Sequence, residues 1–217
     1  MKLTEIKEIL GGDVSTKNSK MPGTSFGLST DYCNVGYKLR SIPGSVCESC
    51  YAARLEAFRP SVKKGWTNRA KRALLATDSK QGMERWVTAM QERLTKLAPT
   101  HHRWHDSGDL LNIRHLRMIN RIALNMPDIK FWLPTKEKAI VNRFIKNFGE
   151  FAPNLTVRLS APMVDQRIDH PAIPTSMVTT GTPGDTWVCP ARHQGNACND
   201  CRACWDRDVD CVAYPKH

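Results

Sequence analysis

Eight cysteines fall into two groups, Cys33, Cys47 and Cys50 near one end and Cys189, Cys198, Cys201, Cys204 and Cys211 near the other, with 138 cysteine-free residues between them. Clustering of this kind in a chain whose start lacks an apolar signal core reads as metal or redox chemistry rather than a disulfide framework. "CNDCRAC" sets Cys198, Cys201 and Cys204 at three-residue spacing, so that a tight turn can aim all three thiolates at one centre, with Cys189 as a remote fourth ligand. A four-thiolate zinc site uses similar CxxC pairs, but usually two separated ones, so the single run favours an iron–sulfur cluster over zinc. Cys211 is left over, as a substitute ligand, a donor to the other centre or a buried thiol. The first group has only three cysteines, one CxxC pair and a Cys33 that precedes it across a 13-residue loop. Three thiolates on a 4Fe-4S cluster leave one iron open to a small molecule or solvent. The competing arrangement is a zinc site completed by a histidine or by Cys211.

Other candidate groups gather in "RWHDSGDL" and "KFWLPTK". Asp109 offers a carboxylate for a ligand amine or a proton-transfer step. Lys136 can bind an anion or titrate when buried, and His105 is the histidine of interest among His101, His102 and His105. If the strand alternates, Arg103 and His105 share one face and Trp104 and Asp106 the other. Arg158, on an apolar strand, is either a paired structural ion or a phosphate clamp.

These residues need a frame, and the periodicity supplies one. Residues 23–33 read as a small-residue strand entering the first cysteine loop. Residues 61–77 and the stripe Met83, Trp86, Val87, Met90, Leu94 and Leu97 read as helices. From residue 101 strands alternate with helices: a strand ending at "HDSGD", a helix over 113–126, a strand over 129–136, a helix over 137–148, then strands over 154–162 and 176–181. That order predicts a parallel α/β sheet, either open or part of a barrel. In such folds chemistry collects where strands end, which selects Cys33, His105, Asp106, Ser107, Asp109, Thr135, Lys136, Ser160, Thr179 and Thr180. Residues 1–183 form the expected main domain, and the cysteine-rich residues 184–217 a small metal-organised lobe packed on it.

Composition adds constraints. The chain has 217 residues, of which 41% are hydrophobic, and no run approaches the roughly 18 apolar residues of a membrane span, so the expectation is a cytoplasmic protein with no membrane partner. The formal charge is +11, with seven basic residues and one acid between Arg54 and Arg72. Such a field favours nucleic acid or nucleotide phosphates, while on charge alone a solvated helix face is the better reading of the local run.

"CESCYA", "RWHDSGDL", "KFWLPTK", "LTVRLSAP" and "CNDCRACWDRDVDCVAYPKH" together resemble the bacteriophage gene-product eighty-eight domain family, over nearly the whole length. The same motifs resemble radical S-adenosylmethionine (SAM) proteins, whose fold is a partial (β/α) barrel of TIM type carrying a three-cysteine 4Fe-4S cluster after its first strand. The resemblance implies a phage protein of the host cytoplasm, with Cys33, Cys47 and Cys50 as ligands of the open cluster. It places Ser107, Gly108 and Asp109 where radical SAM enzymes receive the methionine amino group of SAM. Those enzymes space their cysteines CxxxCxxC with an aromatic residue before the last, whereas here the first gap has 13 residues and Tyr51 follows Cys50. Two functions are therefore expected in competition. One is a redox or radical enzyme with one or two 4Fe-4S clusters acting on an anionic or nucleotide-type substrate. The other is a metal-stabilised nucleic-acid-binding protein without catalysis.

Overall fold

The structure is a computed structural model that describes residues 1–16 and 19–216. Its centre is one seven-stranded sheet, entirely parallel and open: β1 (Thr24–Phe26), β2 (His101–Trp104), β3 (Lys130–Thr135), β4 (Leu155–Ser160), β5 (Thr175–Thr179), β6 (Trp187–Val188) and β7 (Cys211–Pro215). The spatial order is β1-β2-β3-β4-β5-β7-β6. Consecutive strands are neighbours from β1 to β5, so the sheet is wound in one direction without the reversal that defines a doubly wound fold.

The helices are α1 (Leu3–Leu10), α2 (Val35–Leu39), α3 (Tyr51–Phe58), α4 (Pro60–Ala76), α5 (Lys80–Leu97), α6 (Ile113–Asn125) and α7 (Lys138–Phe148). Of these, α1 and α4 to α7 collect on one face of the sheet. Ile6 and Leu10 of α1, Ala70 and Ala73 of α4, Trp86 and Met90 of α5, Leu116 and Ile119 of α6, and Val141 and Phe144 of α7 share a single buried core with Phe26, Trp104, Phe131, Leu133 and Leu155 of the strands. Local chemistry sets the helix limits. Arg59, preceding a proline, is forced out of the helical region at φ −128, ψ 84, which separates α3 from α4 and puts Pro60 at a first-turn position where no amide is needed. The side chains of Ser79 and Asn112 accept the amides of Gly82 and His115 and so cap α5 and α6. Among the described residues no helix is long and apolar enough to cross a membrane.

The cysteine-rich segment packs on the opposite face of the sheet. Trp205, Ala203 and Cys204 are buried against Trp132 of β3 and Val212 of β7. Residues 184–217 also supply two strands, because β7 pairs with β5 from Thr175↔Cys211 to Thr179↔Pro215, and β6 pairs with β7. Sheet and segment are joined by Arg158, which is fully buried. Its guanidinium donates to the carbonyls of Thr175 (2.8 Å), Val209 (2.9 Å), Ala203 (3.1 Å) and Asp206 (2.8 Å). Every acceptor is a main-chain carbonyl, so Arg158 is a structural fastener held by hydrogen bonds rather than the paired ion or phosphate clamp its sequence setting suggests.

Candidate functional site

Because the sheet is parallel, the carboxyl ends of β1 to β4 lie along one edge, and the loops leaving them carry the residues singled out by type and spacing. After β1 a single 3-10 turn (Thr30–Tyr32) ends at Cys33. It is held from below by Glu56 of α3, buried, whose carboxylate accepts the Thr30 amide (3.3 Å) and hydroxyl. The next turn is held by Glu137, immediately after β3, whose Oε1 accepts the amides of Asn34 (3.2 Å) and Val35 (2.8 Å) at the start of α2. A carboxylate at a helix start is favourably placed against the exposed amides there. The loop then crosses to the end of β4, where Val46 donates to Pro162 and Val164 donates to Gly44, each at 2.9 Å. Cys47 and Cys50 close a turn, the Cys50 amide reaching the Cys47 carbonyl at 3.3 Å, and α3 begins at Tyr51.

This scaffold brings Cys33 and Cys47 together around Gly36. A Cβ placed on that glycine would sit 3.3 Å from Cys33 Cβ, 3.7 Å from Cys33 Sγ and 3.5 Å from Cys47 Sγ. The Cys33 thiol feels the charges of Asp109, Cys47, Cys50 and Arg40, and Cys47 feels those of Lys136, Cys50, Asp109 and Arg40, so all six groups share one neighbourhood. Burial pushes both thiols above the ordinary thiol value, Cys33 most strongly. Arg40 extends a guanidinium here whose Nη2 is buried and lacks a hydrogen-bond partner.

Asp109 is buried and holds two strand ends together. Its carboxylate accepts the Leu110 amide (2.7 Å), the Thr135 hydroxyl (2.6 Å) and the Lys136 amide (2.9 Å). Burial raises its pKa to about 6 against the opposing effect of those bonds. Much of its accepting capacity is thus already used. The turn before it is equally committed, since the Leu28 amide donates to the Ser107 carbonyl at 2.8 Å. Gly108 has φ +79 and lies so close to Leu28 that a Cβ would approach its carbonyl oxygen to 2.8 Å. Glycine is therefore required there on two counts.

One expectation fails at the end of β2. His105 has φ +56, which interrupts the pleat. As a result His105 turns to the helix side, its ring 5.3 Å from that of His115, instead of sharing a face with Arg103. Asp106 turns to the other side, where Ser25 Oγ donates to it at 3.0 Å and the Tyr51 hydroxyl donates to its carbonyl. His105 is buried with both ring nitrogens unpartnered, and burial together with His115, His102 and Arg103 drives its pKa well below the ordinary histidine value. It lies beneath the edge where the thiols gather, not among them.

The second cysteine group converges on the face opposite the helices. Cys189 is tied to β7 by donation to Ala213 (2.8 Å), Cys198 to the Lys20 carbonyl (2.8 Å), and Cys201 to the Cys198 carbonyl (2.8 Å), with Asn196 and Asn199 at positive φ tightening the turns. Cys204 lies 3.2 Å from the Tyr214 hydroxyl, and burial pushes its thiol up to about 12. Cys189 and Cys201, like Cys189 and Cys198, are near enough to affect one another's ionisation. Cys211 lies elsewhere. The alternation of β7 turns it with Ala213 toward Ala161 and Met177, away from Cys204. All eight cysteines are free thiols. Among the described residues no group of three or more His, Cys, Asp or Glu side chains is arranged to hold a metal ion.

A family model described as Gene product 88 matches residues 6–207. The chain belongs to the Gene product 88 family. Both cysteine groups of this family member except Cys211 fall inside the matched region, as do Asp109, Lys136 and Arg158. No curated protein and no solved structure matches it. Three residues of the site escaped the sequence reading. Glu137 and Glu56 act through main-chain amides and leave no spacing signal, and Arg40 matters through a contact that only the fold creates.

Proposed function

We propose that this Gene product 88 family member is an iron–sulfur redox protein of phage origin, with Cys33, Cys47 and Cys50 holding a 4Fe-4S cluster at the carboxyl edge of the sheet. When bound, such a cluster supplies one-electron chemistry and an iron not covered by a protein thiolate. The observation that carries the proposal is the approach of Cys33 and Cys47 around the space beside Gly36, within reach of the charges of Cys50, Arg40 and Lys136. The donor set fits the group in two respects. Three thiolates raise the local negative charge, and Arg40 and Lys136 oppose it. A zinc site needs four donors about 2.3 Å from one centre, whereas a cluster spreads its thiolates over several irons and tolerates a wider arrangement.

The singly wound, all-parallel sheet with α1 and α4 to α7 on one face supports the narrower reading of a partial barrel of radical SAM type. Under that reading the segment from Cys189 to Cys204 is a metal-organised lobe, with Cys189, Cys198, Cys201 and Cys204 holding a second cluster. Lys136 would anchor an anionic substrate beside Cys47, and Tyr51 and Asp106 would border it. Asp109 positions the ends of β2 and β3. A SAM amino group arriving at Ser107–Asp109 would compete with the bonds already made there, so use of SAM is the more demanding half of the proposal.

The test is iron, zinc and acid-labile sulfide analysis of anaerobically purified protein with an absorption spectrum. Iron and sulfide in equal amounts with a brown chromophore are expected, and a colourless zinc protein without sulfide overturns the proposal. Electron paramagnetic resonance of the reduced protein during SAM titration tests the narrower half, an unchanged signal removing SAM.

A further inference from the structure

The rim of the first thiol site has a composition unlike an ordinary solvated surface. Phe58, the last residue of α3, is 80% exposed, and Tyr37 of α2 and Tyr51 of α3 are 56% and 57% exposed. The Tyr51 hydroxyl is tucked onto the Asp106 carbonyl while its ring faces outward. The same helices and the start of α4 carry Lys38, Arg54, Arg59, Lys63 and Lys64, all exposed. Elements distant in sequence are drawn into this one surface by Asp31, which pairs with Arg40 after α2 (3.7 Å) and with Lys63 of α4 (3.1 Å). The Arg40 guanidinium in turn lies 5.0 Å from the centre of the Tyr37 ring.

Exposed apolar rings cost free energy in water, and a ring as bare as Phe58 beside a run of cations points to something that covers it. The cover here has to be anionic, because the cations outnumber the acids along α2 to α4, and it has to offer flat faces to aromatic rings. Single-stranded nucleic acid has both properties: its phosphates follow a basic track and its unpaired bases stack on aromatic side chains. A duplex keeps its bases stacked internally and cannot use the rings. We infer that the surface formed by α2, α3 and the start of α4 binds single-stranded nucleic acid, with Phe58 as a stacking platform and Arg54 and Arg59 on phosphates. This places a strand beside Cys33, Cys47 and Cys50. It thereby names the substrate class of the proposed redox site, and it rests on that reading only for the identity of the neighbouring centre.

The experiment is fluorescence anisotropy of the full chain with end-labelled oligonucleotides of about 16 nucleotides, as oligo-dT, oligo-rU and a duplex of equal length, from about 50 to 200 mM salt. Tighter binding of single strands than of duplex is expected, and the dT and rU arms say which sugar is preferred. Phe58→Ala should weaken single-strand binding about 5- to 150-fold, the range of base–aromatic stacking, with the salt slope unchanged. Arg54→Ala with Arg59→Ala should instead flatten the salt slope. Phe58 packs on little, so the variant should keep its circular dichroism and urea midpoint. Equal affinity for duplex, equal competition by polyglutamate, an unaltered Phe58→Ala, or no binding at the lowest salt each overturns the inference. Metal content measured on the same preparation keeps the outcomes separate, since a protein without iron that still binds single strands refutes the redox reading and not this one.

Discussion

Arg158→Met retains most of the stem and removes every donor, leaving four carbonyl groups that Arg158 serves in the folded state. A hydrogen bond from a charged donor contributes about 1.5–3 kcal/mol. Four such bonds would exceed what the protein can lose, but the substitution also relieves the cost of burying the guanidinium. Each buried carbonyl left without a donor costs about 1–3 kcal/mol, and with part of that offset by the charge no longer buried, a net loss of about 3–5 kcal/mol is the expectation here. With a urea slope of about 2 kcal/mol per molar the midpoint should fall by about 2 M. Tryptophan fluorescence reads the transition, because the Trp132 and Trp205 rings lie 5.2 Å apart at this junction. Alkylation of Cys204 reads it locally, since Ala203 and Asp206 flank the same turn. Arg158→Lys, keeping the charge without the planar fork, should fall between the two. A loss below about 1 kcal/mol with Cys204 still protected would refute the fastener role.

Cys50→Ala should remove the iron of one centre and Cys201→Ala that of the other, while Cys211→Ser, facing Ala161 and Met177, should leave iron and sulfide unchanged by elemental analysis. Glu137→Ala should cost about 1–2 kcal/mol as a lost helix cap, and in protein stripped of metal should speed alkylation of Cys33 more than of Cys204. His102 and His115 are held by burial at about 3, and His105 well below its ordinary value. Below about 6.5 the unfolded chain therefore binds protons that the folded one excludes, and stability should fall by about 2 kcal/mol per histidine at pH 5. Asp109, held up at about 6, gains stability as pH falls through that value and offsets a smaller part. A urea midpoint at pH 5 equal to or above that at pH 7 would contradict this balance.

The elements legible in the sequence were those with long periodicity. The helices over 60–76, 80–97, 113–125 and 138–148 and the strands between them emerge within a few residues of their expected positions. Two features resisted for identifiable reasons. Alternation through "RWHDS" predicts faces correctly as far as Trp104 and then fails, because a single residue at positive φ inverts everything after it and histidine gives no glycine-like warning. β7 was hidden in the cysteine-rich segment. Cys211, Val212 and Ala213 form a continuous buried run, as a strand covered on both faces does, but five cysteines nearby draw attention to metal chemistry instead. Arg158 was ambiguous because an arginine on an apolar strand states only that partners exist. Their identity as carbonyls of residues 175, 203, 206 and 209 depends on a chain crossing far from it in sequence.

The winding of the sheet also bears on what the thiols do. Helices on one face leave the other to be covered by the segment after residue 188, and register sets Ser25, Arg103, Trp132 and Thr156 in a row across four strands on that covered face. The Arg103 guanidinium lies 4.5 Å from the centre of the Trp132 ring, its Nε is buried without a partner, and its charge reaches Tyr51 beside the first thiol group and Cys198 and Cys204 of the second. Arg103 is half-buried, while Arg158 is fully buried and in the field of Tyr214, Cys204, Cys211 and Asp206. Among the described residues neither arginine forms an ion pair with a carboxylate. A buried cation without an ion-pair partner is costly, and a buried neutral thiol offsets little of that, since burial holds these thiols protonated. Deprotonation on metal binding would add counter-charge. The two arginines thus favour the thiolate form of the groups around them, which is the form a cluster needs.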